Sequence, residues 1–460
     1  MKKDRNTFQT IPLFFFVITL AIISSLFITN DVFAATKLNK TKATINVGDK
    51  LNLNISGTTK KVRWSSSKKS VASVSKKGVV TPKKKGSATI TATVGSKKLK
   101  CKIKVRTVYT ISKKSKLIDV GSNRYSTYGS AYVNSYTKDW YLFRCYLEKL
   151  QNSGGGTLVV KKGTYNITNT ICIPSNVNII FMNGVVINKT TNTHTSKFKS
   201  GLTLFEFVPS NKYNTKNWCS KYNGVHDSKL IGKGKVKVNL NDVLYSVGIT
   251  MCHNKNISIS GLSFSNIKES HFIELDASKN VQITNCSFSK MKGENYNREA
   301  INIDTPDDKT GGFSKTWAKN DKTPNADITI SGCDFSDLYV AIGTHQYSQN
   351  GSTNIYHTNI NIKNCKISNT EKYGISALNW KDAKITNTTF TSCKNIGIYG
   401  AGAIDPFISD NTFNSIDTAI RITHSTRSYS TTYSIISDNL LNIAKTKNIF
   451  KNVKEEVITD

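Results

Sequence analysis

The stretch VGITMCHNKNISISGLSFSNIKESHFIELDASKNVQITNCSF, residues 247–288, contains the same two strand templates twice. The first template reads VGITMCH and then FIELDAS, and the second reads ISISGLSF and then VQITNCSF. Both are rich in β-branched residues, and the first returns after 24 residues, from Ile249 to Ile273. Short strands that recur at a regular interval are the signature of a solenoid, in which every repeat adds one coil.

The first template recurs along the rest of the chain. Its shared isoleucine returns at intervals of 24, 28, 41, 33, 23 and 22 residues, as Ile249, Ile273, Ile301, Ile342, Ile375, Ile398 and Ile420. Short intervals correspond to bare coils, and long intervals carry inserted loops. Coils stack about 4.8 Å apart, and none is stable alone. The sequence therefore predicts an all-β protein dominated by a right-handed parallel β-helix, continuous over about residues 155–445, with these isoleucines in its core.

A helix and a glycine-rich strand precede the repeats. Residues 138–150, KDWYLFRCYLEKL, place apolar residues at helical spacing. They are followed by SGGGTLVVKKGTYNITNTICIPSNV, residues 153–177. This segment resembles the opening of pectate-lyase and polygalacturonase-type β-helices, with G-G-G-T, G-T-Y and S-N-V in order. The resemblance implies that residues 107–460 form the β-helix domain, and that the helix caps its open end.

Residues 36–106 have a different pattern of short, alternating strands separated by Gly, Lys and Ser turns, which is typical of a small β-sandwich. The string VRWSSSKKSVASVSKKGVVTPKKKGSATITATV, residues 62–94, carries W-S-S-S, V-A-S-V, G-V-V-T and G-x-A-x-I-T-A in order. It resembles the bacterial Ig-like domain, group 2. The resemblance implies a spacer or adhesive module on an extracellular protein, without chemistry of its own.

The positive charge of the chain is concentrated in its first part. The net charge is +34, and residues 1–106 hold 23 Lys and Arg against three acids. A cationic module attracts polyanions over about 8 Å at physiological salt. The predicted partners of the Ig-like module are anionic cell-wall polymers, and the alternative is a solvated face without a ligand. The chain carries no nucleic-acid reader motif, so nucleic acid is not a predicted partner.

The first 35 residues predict export. Lys2, Lys3 and Arg5 precede an apolar run at residues 11–28, and small residues follow at Ala34 and Ala35. This order is typical of a cleaved secretory signal, with an uncleaved anchor as the alternative. No second apolar run of that length follows, so we expect a monomeric, secreted or surface-associated bacterial protein without a membrane span.

Nine cysteines without a CxxC pair do not predict a disulfide framework. Cys286, Cys333 and Cys365 occupy the same repeat position, in NCSF, GCDF and NCKI. Small buried apolar residues are the favoured interpretation of this position.

The isoleucine alignment also assigns the polar residues to faces. Side chains alternate across a strand, so the residue after each isoleucine points outward. The second outward column then contains Asp276, Asp304 and His345 on consecutive coils, with Glu274 and Asn302 in the first column beside them. Like charges about 5 Å apart repel and raise a carboxyl pKa, so such a cluster predicts a functional site. A solvated face or a structural cation site is the alternative.

Three inserted loops leave the same strand column, after Asp304, after His345 and after Ile422, and are predicted to wall one groove. Aromatic side chains there can stack on sugar rings, and basic ones can bind uronate or sulfate. The predicted substrate-binding residues are Asn302, Arg298, Lys315, Trp317, Tyr347, Trp380, Tyr399, Arg421 and His424.

The acid cluster is similar to the catalytic face of polygalacturonase-type glycosidases, in which acids on two successive coils precede a histidine. Asp276, Asp304 and His345 match that order, whereas Thr344-His345-Gln346 departs from the family's G-H-G, and Arg421-Ile422-Thr423 lacks the lysine of R-I-K. The resemblance implies cleavage of an acidic, uronate-type polysaccharide. A metal-independent hydrolase is slightly favoured, with Asp304 as the acid, Asp276 as the base, and Glu274 and His345 beside them.

Stacked carboxyls near 5 Å suit a retaining hydrolase, and the diagonal from Glu274 to Asp304, about 8 Å, suits an inverting one. A lyase is the alternative enzyme, with Ca²⁺ held by Glu274, Asp276 and Asp304, and with Lys315 or Arg298 as the base. An epimerase needs similar groups. The alternative outside enzymology is a surface adhesin or glycan-binding solenoid.

Overall fold

A computed structural model describes residues 35–118, 132–196, 199–293, 298–427 and 430–459. All but the last residue of the predicted signal segment lies outside these ranges. Within them, no helix is long and apolar enough to cross a membrane.

The N-terminal module is the predicted Ig-like β-sandwich. One sheet has the strand order β2-β9-β8-β5, a second has β3-β7-β6, and β1 pairs with β4. Alternation places Leu53, Val80, Ile90 and Ile103 in the core between the sheets. The strands are β1 (Lys37–Leu38), β2 (Lys42–Ile45), β3 (Leu51–Asn52), β4 (Ile55–Ser56), β5 (Val62–Ser66), β6 (Ala72–Val74), β7 (Val79–Pro82), β8 (Gly86–Val94) and β9 (Lys97–Val105).

The rest of the chain winds into a parallel β-helix. One sheet comprises β10 (Thr107–Ile111), β11 (Gly156–Val160), β14 (Val177–Phe181), β17 (His226–Gly232), β20 (Lys255–Ser260), β23 (Lys279–Thr284), β26 (Ala326–Ser331), β30 (His357–Lys363), β32 (Trp380–Lys381), β33 (Lys384–Thr386) and β36 (Phe407–Ser409).

The second sheet bends around the other sides of each coil. It comprises β12 (Gly163–Ile167), β13 (Ile171–Cys172), β15 (Val185–Lys189), β16 (Phe205–Glu206), β18 (Lys237–Asn239), β19 (Ile249–Cys252), β21 (Ser263–Lys268), β22 (Ile273–Asp276), β24 (Ser287–Lys292), β25 (Glu299–Asp304), β27 (Asp334–Gly343), β31 (Lys366–Leu378), β34 (Thr389–Thr391), β35 (Ile396–Ala401), β37 (Thr412–Thr423) and β40 (Ile449–Thr459). Two antiparallel hairpins project from the coils, β28 (Gln349–Asn350) with β29 (Thr353–Asn354), and β38 (Ser425–Arg427) with β39 (Ser430–Thr432).

The predicted isoleucine register is confirmed. Ile249 pairs with Ile273 and Ile273 with Ile301, and the ladder continues through all seven positions. Each of these side chains is buried, and burial of one isoleucine contributes about 1.5–3 kcal/mol. The helix is longer than the predicted range of residues 155–445, because β10 already pairs in parallel with β11 and β40 still pairs with β37.

Cys286, Cys333 and Cys365 are buried, as predicted for this repeat position. Asparagines recur at the turns between the strands, in the position before Cys286 and Cys365. Asn285 and Asn364 adopt positive φ angles of 52° and 54°. Asparagine tolerates this left-handed conformation better than other non-glycine residues, so the repeat conserves a backbone requirement of the turn.

Helix α1 (Lys138–Asn152) caps the N-terminal end of the solenoid, as predicted. Its buried side chains include Tyr141, Phe143 and Leu150, which join the main core. Helix α2 (Asp438–Thr446) was not predicted; it is only nine residues long, and Ala444 is its only buried residue. The side chain of Ser437 caps α2 by accepting a hydrogen bond from the Leu440 N–H.

The Ig-like module packs against the first sheet of the β-helix. Asp49 accepts hydrogen bonds from Lys229 Nζ at 2.8 Å and from Asn178 Nδ2 at 2.9 Å. The Thr157 hydroxyl donates to the Val47 carbonyl at 3.0 Å. Gly48 has φ +98°, and a Cβ there would lie 3.1 Å from Ile231. The only acidic side chain of residues 36–106 is therefore engaged at this contact.

Candidate active site

One face of the solenoid carries the predicted outward columns. The first column runs by strand register from Glu206 through Thr250, Glu274 and Asn302 to Gly343. We call the surface of β16, β19, β22 and β25, with the end of β27, the Glu274 face. The sequence alignment began at Ile249 and therefore missed Glu206, which β16 contributes one coil earlier.

The second column places Asp276 beside Asp304, because these residues are partners in the pairing of β22 with β25. His345 follows on the next coil, and its backbone N–H donates to Asp304 Oδ1 at 3.3 Å. The Gln346 N–H donates to the same oxygen at 3.4 Å. The structure therefore brings the three residues together in the predicted order.

The loop between β25 and β26 covers one side of this cluster. Its residues Phe313, Trp317 and Ala318 pack on Cys252 and Ala277. Asp276 beneath it has no exposed surface, and neither carboxyl oxygen has a hydrogen-bond partner among the described residues. Burial, with Glu274 and Asp304 nearby, raises the Asp276 pKa well above its usual range. A carboxyl with no exposed surface and no polar partner has no direct contact with water, so the geometry does not support the predicted role of Asp276 as the catalytic base.

Glu274 is half-buried and remains at the surface of the face. Burial raises its pKa to about 7, Lys315 opposes the shift, and the charges of Asp304 and Glu206 add to it. The Thr250 hydroxyl donates to Glu274 Oε2 at 3.5 Å. A carboxyl with this pKa holds a proton near neutral pH and can still ionise, which is the requirement for a general acid.

His345 joins two buried carboxylates. Its Nδ1 atom lies 3.1 Å from Glu299 Oε2 and 3.5 Å from Asp304 Oδ2. Burial lowers the His345 pKa, but Asp304 and Glu299 outweigh it and raise the pKa to about 9. Burial raises the Asp304 pKa to about 6 despite His345. The Glu299 pKa is lowered, because His345 outweighs the effect of burial. Near neutral pH, a charged imidazole therefore lies between two carboxylates.

Glu299 and His271 complete this network, and sequence reasoning missed both. The His271 Nδ1–H donates to the Glu299 carbonyl at 2.7 Å, and its ring stacks on His345 with centroids 5.6 Å apart. Burial lowers the His271 pKa to about 4, so its ring is neutral. The repeat alignment could have identified His271 and Glu299 as neighbours, since they lie two positions before the core isoleucines Ile273 and Ile301.

The donor atoms that converge are different from the predicted calcium set. Among the described residues, the group whose donor atoms lie within 4.8 Å of one another is His271, Glu299 and His345. The predicted set of Glu274, Asp276 and Asp304 does not form such a group there. Calcium prefers oxygen ligands, and two imidazoles do not suit it. The prediction of a carboxylate calcium site is therefore not supported by the geometry.

Lys315 pairs with Glu206, at 2.9 Å between Nζ and Oε1, and hydrogen-bonds the Thr203 hydroxyl at 2.9 Å. Its side chain is 26% exposed. Burial lowers the Lys315 pKa, but Glu206 outweighs it and raises the pKa above its usual value. A lysine held in the charged form can bind an anion, but it is a poor proton acceptor. Arg298 is half-buried beside the cluster, and an arginine does not deprotonate in proteins.

Three of the aromatic side chains that were predicted to stack on sugar rings are buried, so the prediction is wrong for these three. Trp317 is 1% exposed, and its Nε1–H donates to Glu206 at 3.1 Å. The Trp380 Nε1–H donates to the Thr344 hydroxyl at 2.9 Å. Tyr347 packs on Leu378 and Ala401. These aromatic side chains hold the loops onto the coils, which loop sequence alone does not distinguish from ligand binding.

The remaining predicted residues spread along the face. Asn302 is buried between Glu274 and Gly343 in the first column. Tyr399 and Arg421 are half-buried, and the register places them four and five coils beyond Glu274, about 19 and 24 Å away at 4.8 Å per coil. His424 is exposed. The structure therefore separates these distal residues from the acid cluster.

A pocket of about 430 Å³ opens at the other end of the face. Helix α1 contributes Trp140 and Arg144, and the coil contributes Thr170 and Cys172. Cys172 is the register partner of Glu206, so this pocket lies on the same column as Glu274. The sequence predicted α1 only as a cap, because the loops that complete the pocket have no periodic pattern.

Residues 32–105 match the bacterial Ig-like domain family, group 2. The full sequence has no match among curated proteins. Two solved structures of PfbA, a surface adhesin of Streptococcus pneumoniae, are similar. One covers 76% of this chain and 89% of that chain at 19% identity, with a TM-score of 0.54. The other covers 73% and 78% at 17% identity, with a TM-score of 0.52. These likenesses show the β-helix fold.

An exopolygalacturonase from Thermotoga maritima is more distant. It is 12% identical over 69% of this chain and 84% of that chain, and its TM-score is 0.38.

Proposed function

We propose that this protein is a secreted glycoside hydrolase that cleaves an acidic polysaccharide on the Glu274 face. The observation that carries the proposal is Glu274 itself, a half-buried carboxyl whose pKa is raised to about 7, one coil from Asp304. Two carboxyl groups in different environments are the machinery of most glycoside hydrolases. Arg298 and Lys315, the latter paired with Glu206 and 26% exposed, are cations near them that an anionic substrate can contact.

In this proposal, Glu274 takes the acid role that the sequence alone assigned to Asp304 and protonates the leaving oxygen, and Asp304 accepts a proton from the attacking water. Asp304 has no exposed surface, and the Nδ1 atom of His345, a side chain that is 23% exposed, lies 3.5 Å from Asp304 Oδ2. A substrate that turns the imidazole aside opens Asp304 Oδ2 to one water molecule. Glu274 and Asp304 occupy diagonal positions, about 7–8 Å apart. This separation leaves room for the water and suits an inverting mechanism.

Two distant features share the column of Glu274. The pocket beside α1 and the distal Tyr399 and Arg421 lie on this column, on opposite sides of Glu274. Glu206, Thr250 and Asn302 lie between them and are buried, so the surface on which we propose that the saccharide binds is centred on Glu274. We propose the signal segment, residues 1–35, as the export address, and the Ig-like module, residues 36–106, as the spacer before the β-helix domain, residues 107–460.

A surface adhesin is the second candidate function. The observation that favours it is the similarity to PfbA, described as a surface adhesin, over three quarters of this chain. A lyase has less support, because Lys315 is ion-paired with Glu206 and Arg298 cannot act as a base near neutral pH.

The test is incubation of the protein with a panel of uronate-containing and sulfated polysaccharides, followed by mass spectrometry of the products. A hydrolase releases saturated oligosaccharides that have gained one water at each cut. Unsaturated uronide products would show that the protein is a lyase and not a hydrolase. Binding to polymers without turnover of any of them would support the adhesin function instead.

The pH dependence of turnover follows from the two carboxyl groups. Glu274 must hold a proton, so activity falls as the pH rises above its pKa of about 7. Asp304 must be ionised, so activity falls as the pH drops below its pKa of about 6. We expect a bell-shaped profile of kcat/KM with its maximum between these values. A rate that still rises above pH 8 would contradict the assignment of Glu274 as the acid.

A further inference from the structure

The Ig-like module presents one sheet face that is cationic throughout. Along β9, Cys101 and Ile103 point into the sandwich, and Lys98, Lys100, Lys102 and Lys104 point outward and are exposed. On the neighbouring β2, Lys42 is the register partner of Lys102. On β5, Arg63 shares a row with Thr93 of β8 and Lys98. We call these six cations, with the outward hydroxyls of Ser87, Thr89, Thr91 and Thr93 on β8, the lysine face.

No described carboxylate lies within ion-pair distance of these six cations. The one acid of the module, Asp49, is bound to Lys229 and Asn178 of the β-helix. A face that only kept the module soluble would mix both signs of charge, because like charges on neighbouring strands repel. The six cations of the lysine face repel one another. An anionic ligand that neutralises them relieves this repulsion, which favours binding.

The arrangement fits a polymer better than a small molecule. Lysines on alternate residues of an extended strand are about 6.7 Å apart, so they form a straight row of equally spaced charges. A shallow depression beside the row is lined by Lys42, Ser87, Thr89, Lys102 and Lys104. Small-molecule sites are concave and enclose most of their ligand, whereas this surface offers many separate contacts along one direction.

The residue types of the lysine face favour one class of anion. Five of the six are lysines, which act as compact point charges, and only Arg63 has the planar fork that pairs with a carboxylate in two bonds. The row of serine and threonine hydroxyls can donate to the oxygens of a tetrahedral anion. We propose that the lysine face binds a linear polymer of phosphodiester-linked units, the chemistry of anionic bacterial cell-wall polymers. This inference is independent of catalysis on the Glu274 face.

The test compares two variants of the full chain that lose the same charge. The face variant carries Lys98→Gln, Lys100→Gln, Lys102→Gln and Lys104→Gln. The control variant carries Lys76→Gln, Lys77→Gln, Lys83→Gln and Lys84→Gln, four exposed lysines that flank strands of the other sheet of the sandwich. The probe is purified poly(glycerol phosphate), and its affinity is measured from 50 to 300 mM NaCl.

The face variant is expected to bind about 100-fold more weakly at low salt, and the control variant to stay within a few-fold of the parent. Each contact with a linear polyanion releases about 0.7–0.9 counterion, so the slope of log K against log salt should fall by roughly three in the face variant. Matching circular dichroism and thermal midpoints exclude misfolding, since all eight side chains are exposed.

Equal weakening in both variants would overturn the proposal, because net charge would then explain the binding. Equal or tighter parent binding to polygalacturonate, a sulfated glycan, single-stranded DNA or anionic vesicles would overturn the assignment to a phosphodiester wall polymer. No binding of poly(glycerol phosphate) by the parent at 50 mM NaCl would overturn it directly.

Discussion

Glu274→Gln is expected to lower turnover of the acidic polysaccharide by about 10²–10⁴-fold, the usual cost of removing a general acid. Glutamine keeps the size of the side chain but carries no acidic proton. The fold should be retained, because Glu274 is half-buried and the change removes negative charge next to Asp304. Reducing-end release measures the rate, and the thermal midpoint checks the fold.

Asp276→Asn is the matched control for that experiment, since it makes the same chemical change two residues along the same strand. The Asp276 carboxyl is covered by the 313–318 segment and holds a proton, so the amide replaces a neutral group. We expect near-parental turnover. The opposite pattern, an active Glu274→Gln variant and an inactive Asp276→Asn variant, would return the catalytic role to Asp276.

His345→Ala is expected to destabilise the β-helix by about 3–5 kcal/mol, the usual cost of removing one partner from a buried ion pair. The substitution leaves the buried Glu299 and Asp304 without the cation that lies 3.1 and 3.5 Å from them. Urea titration of parent and variant measures the loss. Adding Glu299→Gln to His345→Ala should recover part of it, because one of the two unpaired charges is then removed.

The same interaction sets a pH window. The His345 pKa is raised from 6.5 to about 9, so its contribution to stability is complete below pH 6.5 and is lost as the pH rises through 9. The parent should therefore lose stability across this window, while His345→Ala changes less. A loss below about 1 kcal/mol, with parallel pH profiles, would show that the network does not hold the face together.

The β-helix core could be predicted from the sequence because every coil of a solenoid repeats the same strand pattern. The spacing of the isoleucines fixed the coils, and the period of two then assigned Glu274, Asp304 and His345 to one face. Helix α1 was predicted by the same logic, since its apolar residues recur at helical spacing. Helix α2 was missed because it is only nine residues long, too short for a helical period to stand out, and buries only Ala444.

The burial and contacts of the site residues could not be predicted, because they depend on inserted loops that have no repeated sequence pattern. The insertion after Asp304 folds back so that Trp317 bonds Glu206, a contact between residues 111 positions apart. The same loop brings Lys315 to Glu206 and closes over Asp276. Sequence reasoning identified Glu274, Asp276 and Asp304 but missed Glu206 and Glu299, and the exposure of these acids and the pKa values of the first three depend on this long-range packing.

Catalysis on the Glu274 face is tested by a crystal structure of the Glu274→Gln variant with an oligosaccharide of the polymer that the parent cleaves. We expect the saccharide to lie on the Glu274 face. The scissile oxygen should lie within about 3 Å of the residue 274 side chain, which is hydrogen-bond reach for a general acid. We also expect a turned His345 ring that admits one water to Asp304. A saccharide bound on another face, with residue 274 out of contact, would rule out Glu274 as the general acid.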